Sequence, residues 1–144
     1  MVILQARRGG PRLIVADTTF LVHLLRRHPD AQSWLSRNAE SEIFTTQINA
    51  YELYIGAHTI WIKHGVDRFD EVLDLLSLFD VLDFDGDSAY EAARLAASLQ
   101  ASGQTIGTRD QMIAGSALAN DITKILTRNV KHFTRIQEIE VLTY

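Results

Sequence analysis

Three carboxylates stand almost alone in apolar stretches of this 144-residue chain. Asp17 is the only formal charge in LIVADTTFLVHLL, residues 13–25, and Glu52 the only one in IFTTQINAYELYIGAHTIW, residues 43–61. Asp110 opens a third run, QMIAGSALAN, with no further charge before Asp121. A carboxylate among apolar neighbours is costly unless it is paired with a cation or bound to a metal. Three of them, far apart in sequence, point to a gathered metal site. Oxygen ligands without His or Cys suit hard cations such as Mg²⁺ or Mn²⁺. Each acid also has a structural alternative. Asp17 could cap a helix. Asp110 falls in Thr108-Arg109-Asp110-Gln111, which fits a capping box and the helix dipole. Glu52, with no Lys or Arg nearby in sequence, could pair with a distant Arg.

The elements that must position these acids follow from periodicity and punctuation. Leu13 to Ala16 is a short aliphatic run typical of a buried parallel strand. Thr18 or Thr19 then caps a helix through Leu25, which Pro29 ends, and a further helix covers Ala31 to Arg37. Ile43 to Thr45 predicts a second strand, and Thr46 the cap of a long helix stopped at His64-Gly65. Val66 to Leu76 has helical spacing, Phe79 to Phe84 alternates like a strand, and Asp87 caps an Ala-rich helix ending near Gly103. Thr108 to Asn120 predicts a helix, and Lys124 to Thr127 and Glu140 to Leu142 predict strands. This alternation implies an α/β fold, a three-layer sandwich of a mostly parallel sheet with helices on both faces. Ligands of such sheets bind beyond the carboxyl ends of the strands. Asp17, Glu52, Asp110 and Asn129 all fall at that edge, whereas Asp121, three turns beyond Asp110, belongs to the opposite end.

Composition narrows the class. With 47% apolar and 22% charged residues, the chain is ordinary for a soluble globular protein, most simply one domain over residues 13–144. Residues 1–12, with Gly9, Gly10 and Pro11, read as an N-terminal extension. A net charge of −4 argues against non-specific binding to a nucleic-acid backbone but not against an enzyme acting on one. The chain has no cysteine, which excludes disulfides and thiolate metal sites and permits a reducing compartment. No signal peptide is expected, and the polar residues of the 43–62 run speak against a membrane span. Asp83-Phe84-Asp85-Gly86-Asp87 has its Gly at the fourth position and not the sixth, so it is no EF-hand loop. The histidines lack zinc-site spacing, and phosphate-loop, dinucleotide and serine-hydrolase motifs are absent. Arg109, Arg128 and Lys131 flank the acidic edge.

Taken in order, VADTTFLVHLL, NAYELYIGA, TRDQMIAGSAL and LTRNVKHFTRI resemble the four motif blocks of PIN-domain proteins, most closely the toxin ribonucleases of prokaryotic VapBC toxin–antitoxin pairs. The resemblance spans roughly residues 13 to 144 and implies an α/β/α fold with a parallel sheet. It matches Asp17, Glu52 and Asp110 to the family's three metal-binding acids. Asn129 falls where many members carry a fourth acid, and Thr127 matches the Thr of that block. An amide at 129 adds no charge, so a second ion would be held more weakly. The resemblance further implies a cytoplasmic, Mg²⁺- or Mn²⁺-dependent endoribonuclease. Asp17 and Asp110 would be ligands, Glu52 a ligand or base, and Asn129 would orient water or phosphate, with Arg109 or Arg128 on the RNA. It also implies a cognate VapB-like antitoxin and a homodimer, with Tyr51, Tyr54 and Trp61 as contact candidates.

Two rival readings remain at this stage. A receiver-like phosphoacceptor module would want two acids after the first strand and a Lys ending a late one. Here Asp17 stands alone and Lys124 begins its strand. A catalytically silent PIN fold serving as a binding module is the alternative that Asn129 leaves open.

Overall fold

The computed structural model describes residues 11–144. Of the expected extension over residues 1–12, residues 1–10 lie outside the described residues; at its inner end the Arg12 carbonyl accepts the Glu42 N–H at 2.8 Å. In chain order the elements are β1 (Leu13–Ala16), α1 (Thr18–Leu25), α2 (Pro29–Arg37), β2 (Glu42–Thr46), α3 (Gln47–His64) and α4 (Phe69–Leu76). They continue with β3 (Asp80–Leu82), α5 (Gly86–Ala101), α6 (Thr108–Ala119), β4 (Lys124–Leu126), α7 (Val130–Phe133) and β5 (Glu140–Leu142). The five strands form one sheet in the order β3-β2-β1-β4-β5, and every pairing is parallel.

β1 lies at the centre of this sheet and explains its own apolar run. Ile14 and Ala16 enter the core under α1 to α4, whereas Val15 enters the second core with residues of α5, α6 and α7. In β4 the same alternation sends Leu126 to the first layer and Ile125 to the second. All five of these side chains are fully buried. A strand covered on both faces has no polar side to show, hence a continuous aliphatic segment. The three-layer expectation holds.

Several boundaries differ from the expected ones for local reasons. Pro29 does not merely end α1: it is the first residue of α2, where its missing N–H costs nothing, and His28 Nδ1 accepts the Asp30 N–H at 3.2 Å. Asp85, not Asp87, caps α5, accepting from the Ser88 backbone at 2.9 Å, and Asp87 sits in the first turn. Neither Thr18 nor Thr19 caps α1, because helical geometry begins at Thr18 and Asp17 holds the cap position. The expected end of α3 is confirmed: Gly65, at φ 66°, closes the helix by donating to the Trp61 carbonyl. Among the described residues no helix is long and apolar enough to cross a membrane.

The packing of α5 on α6 depends on one missing side chain. A Cβ on Gly115 of α6 would stand 2.6 Å from the Ala92 nitrogen and 2.7 Å from its Cβ, in α5. Those are backbone collisions that side-chain rotation cannot relieve. Gly56 in α3, by contrast, has nothing within 4 Å of that position. Gly115→Ala should therefore destabilise by about 1–3 kcal/mol and lower the melting temperature by several degrees. Gly56→Ala should stabilise by about 0.5–1 kcal/mol, through the helix propensity of Ala. Thermal denaturation followed by circular dichroism measures both, and equal effects would refute the packing argument.

Candidate active site

The strand order reverses between β1 and β4, so the chain leaves their carboxyl ends in opposite directions and opens a crevice there. Asp17 follows β1 directly and Thr127 follows β4, which places both at this opening. The Asp17 N–H donates to the Leu126 carbonyl at 2.9 Å, and the Thr45 hydroxyl donates to the Ala16 carbonyl at 2.9 Å. Backbone and strand neighbours on both sides thus fix where the Asp17 carboxylate stands. It is 4% exposed.

Asp17 occupies the cap position of α1 but makes no capping hydrogen bond. Its oxygens turn elsewhere. Oδ2 accepts from the Thr127 hydroxyl at 2.7 Å, and Oδ1 accepts from Asn49 Nδ2 at 3.1 Å. Both donors are neutral. Burial pushes the Asp17 carboxyl up to about 6; the Thr127 hydrogen bond opposes the shift, and the charges of Asp110 and Glu52 add to it.

Asn49 is a functional residue that sequence reasoning missed. It is fully buried and serves two ends at once. Its Oδ1 accepts from the Thr46 backbone at 3.2 Å and from the Thr46 hydroxyl at 2.7 Å, completing the capping box of α3. That fixes the amide, so Nδ2 faces Asp17 and also donates to Thr18 Oγ1 at 3.0 Å. The Thr18 hydroxyl in turn donates to Glu52 Oε1 at 2.8 Å. A polar residue three positions before Glu52, on the same face of a long apolar helix, was the available signal.

The other acids are less buried. Glu52 is 25% exposed, and Arg109 Nη1 stands 3.5 Å from its Oε2. The distant arginine of the structural alternative therefore exists. Asp110 meets half of its alternative: it lies in the first turn of α6, where an acid suits the helix dipole, but Gly107 holds the cap position and no side chain caps the helix. Instead Asp110 Oδ2 lies 2.7 Å from His132 Nδ1 and 3.3 Å from Asn129 Nδ2. A contact that short to a carboxylate requires the proton on Nδ1, so the Asn129 amide donates to Asp110 and not to the ring. His132 is the second residue missed, because no spacing motif links it to Asp110. Asp121 sits past α6 at φ 57°, away from these groups as expected.

Asp17, Glu52, Asp110 and Asn129 line one cleft of about 330 Å³, together with Thr18, Thr19, Val22, His23 and Arg128. Arg109 and Lys131 are not among its lining residues. As the side chains stand, no three acidic, His or Cys groups among the described residues converge closely enough to grip one ion. Two of the acids contact protein side chains instead, Glu52 the Arg109 guanidinium and Asp110 the His132 ring. Both partners are about half exposed, and surface contacts of this kind are worth at most about 1 kcal/mol each. Exchange for a divalent ion is therefore inexpensive. The donor chemistry fits a hard cation, and Asp17, buried without a positive partner among the described residues, is the group that one would relieve.

Because the folded pKa of Asp17 lies above its unfolded one, ionising it costs stability. The cost begins above about pH 4 and is complete above about pH 6. Asp17→Asn should raise the melting temperature of the metal-free protein at about pH 7.5, by an amount corresponding to at most about 3 kcal/mol. The advantage should shrink as the pH is lowered to about 4. A variant no more stable than the parent at the higher pH would refute the assignment.

Comparison with known proteins agrees with this geometry. Residues 14–139 match the PIN domain family model. The chain is 30% identical over 131 residues to ribonuclease VapC1 of Rickettsia felis, covering 90% of this chain and 95% of that protein. It is 35% identical over 126 residues to the tRNA(fMet)-specific endonuclease VapC of Salmonella typhimurium, covering 87% and 92%. Among solved structures, DNA-bound VapBC from Salmonella typhimurium superposes with a TM-score of 0.79 at 25% identity, over 92% of this chain and 98% of that one. A five-stranded parallel sheet with its crevice between β1 and β4, three acids lining that crevice, and a family match over nearly the whole described chain lead to one conclusion: this protein belongs to the PIN domain family.

Proposed function

We propose that this protein is a VapC-type endoribonuclease that depends on Mg²⁺ or Mn²⁺, with residues 13–144 as its single nuclease domain. The observation that carries the reading is the cleft at the strand switch point, which three carboxylates line and whose deepest acid has no cation partner among the described residues. Asp17, Asp110 and Glu52 would hold the ion. Bound there, a divalent ion supplies Lewis acidity toward water and toward phosphate oxygens.

The chain's own residues supply the rest. Asn49 and Thr127 hold the Asp17 carboxylate in one orientation through neutral donors, so its charge stays available. Glu52, reaching the cleft from α3, serves as a ligand or takes the proton of the water that attacks phosphorus. The Asn129 amide, already hydrogen-bonded to Asp110, orients that water or the scissile phosphate. The bond from phosphorus to the leaving sugar oxygen then breaks, and that oxygen takes a proton from solvent. Arg128 lies at the cleft wall for the RNA backbone, with Arg109 outside it. One neutral amide in place of a fourth acid makes the second-ion position the weaker one.

A cytoplasmic setting and a VapB-like antitoxin partner complete the proposal. A largely apolar groove of about 430 Å³ adjoins the cleft, with Val22, Leu25, Leu53, Ala57, Ile60 and Val72 in its walls. It shares Glu52 with the cleft, so a chain lying in it reaches the carboxylates. For a homodimer, Tyr51 and Trp61 are exposed on α3, whereas Tyr54 is partly buried against the first core.

Purified protein should cleave RNA with Mg²⁺ or Mn²⁺ and stop when the metal is chelated. Asp17→Asn should reduce cleavage by at least about 100-fold while the fold, read by circular dichroism, is retained. Cleavage that survives chelation or this substitution would overturn the mechanism. Retained RNA binding without cleavage by the parent protein, with metal present, would favour the silent binding module.

A further inference from the structure

Two residues beyond β5, the Tyr144 side chain packs against α1. Its ring meets Phe20 edge-on at 5.0 Å between centroids and His23 at 5.6 Å. Its hydroxyl lies 2.5 Å from His23 Nδ1. Over the Tyr144 ring, 4.3 Å from the centroid, stands the Arg128 guanidinium. Arg128 has two other anchors. One of its terminal nitrogens contacts Asp30 Oδ2 at 3.0 Å, and its backbone N–H donates to Thr19 Oγ1 at 3.1 Å. Arg128 and His23 line the same cleft as the three acids.

The two arginines near the acids differ in what they are free to do. Arg109 lies outside the cleft lining, held by Glu52, with its guanidinium 5.9 Å from the Tyr51 ring. Arg128 is placed against an aromatic face, and the Asp30 contact engages only one nitrogen of its fork. The Asp30 pair is exposed, so it yields readily to a stronger anion. An arginine stem left free loses rotamer entropy when it binds; one already stacked on a ring loses less. A planar fork held at the wall of an acidic cleft suits the two oxygens of a phosphodiester.

We propose that Tyr144 is a positioning residue that holds Arg128 as a clamp for a backbone phosphate of the RNA strand. This rests on the ribonuclease reading above, and it singles out Arg128 over Arg109 as the phosphate contact. The role of Tyr144 is its ring face; its hydroxyl serves the contact with His23.

The test pairs cleavage kinetics on an RNA oligonucleotide with anisotropy binding of a labelled copy to Asp17→Asn protein across a salt series. Tyr144→Leu should raise both KM and Kd by about 3–10-fold with kcat within about two-fold, and Tyr144→Phe should recover the binding lost. Arg128→Ala should weaken binding at least as much and lower the salt slope by about 0.7. Tyr144→Leu added to Arg128→Ala should change Kd no further. An unchanged Kd in Tyr144→Leu, a loss confined to kcat, or additive effects in the double variant would overturn the clamp. Should Tyr144→Leu fail to fold, Arg128→Lys decides: it keeps the charge but not the fork, and parent-like binding by it also overturns the clamp. A parent that does not cleave RNA, in a protein whose RNA binding still depends on Tyr144 and Arg128, would defeat the ribonuclease reading and leave the clamp standing. Normal cleavage with Tyr144-independent binding would do the reverse, and absence of RNA binding would defeat both.

Discussion

Between β1 and β4 the chain diverges to opposite sides of the sheet, and a carboxylate with no cation of its own among the described residues stands in the opening. Asp17 is there because its backbone is tied to β4 on one side, while β1 is paired with β2 on the other. The strands leave it little room to move outward. Its two hydrogen-bond donors are an amide and a hydroxyl, which orient the group without neutralising it. A buried negative charge held in this way is unfavourable for folding and favourable for capturing a cation. Much of the surrounding polar network can be understood as fixing that one group.

The network reaches across layers. Asn49 belongs to the cap of α3, so its amide orientation is settled by the same bonds that start the helix. From there one hydrogen-bonded path runs through Thr18 to Glu52. Another runs from Asp17 through Thr127, whose Oγ1 accepts the Asn129 N–H at 2.8 Å. No buried side-chain nitrogen or oxygen among the described residues lacks a partner. A buried polar network that is fully satisfied holds its members rigidly. The close packing of Gly115 on Ala92 supports the opposite layer in a comparable way: it lets α5 and α6 approach closely, and α6 carries Asp110.

Charge is distributed with a division of labour. The chain is acidic overall, so attraction of a polyanion cannot come from its mean field. It must come from a few local cations. Arg109 sits on Glu52, where its charge moderates the repulsion among carboxylates, and His132 contacts Asp110. Arg128 is held at the wall by an aromatic ring and an exposed acid. These are different tasks for residues that look equivalent as basic neighbours of a motif.

Much of this was legible before any coordinates. Apolar runs bounded by cap residues identified the strands and helices, because those signals are local: alternation, 3.6-residue spacing, Thr46 ahead of its helix, Gly65 behind it. Strand-to-helix boundaries placed Asp17, Glu52, Asp110 and Asn129 at one edge, because in parallel α/β folds that edge is set by connection rules and not by side-chain detail. Misplaced features were ones where neighbouring residues compete for one local role, such as Asp85 with Asp87, and Thr18 with Asp17. Only the tertiary structure decided which partner each acid takes. Arg109 meets Glu52, His132 meets Asp110, Asn49 turns its amide to Asp17, and Tyr144 reaches Arg128, all across layers that the sequence leaves unplaced relative to one another. The burial that raises the Asp17 pKa is likewise a property of two cores closing around β1. Residue types and their edge are written locally in the chain; pairing, burial and the resulting charge state exist only once the layers have packed.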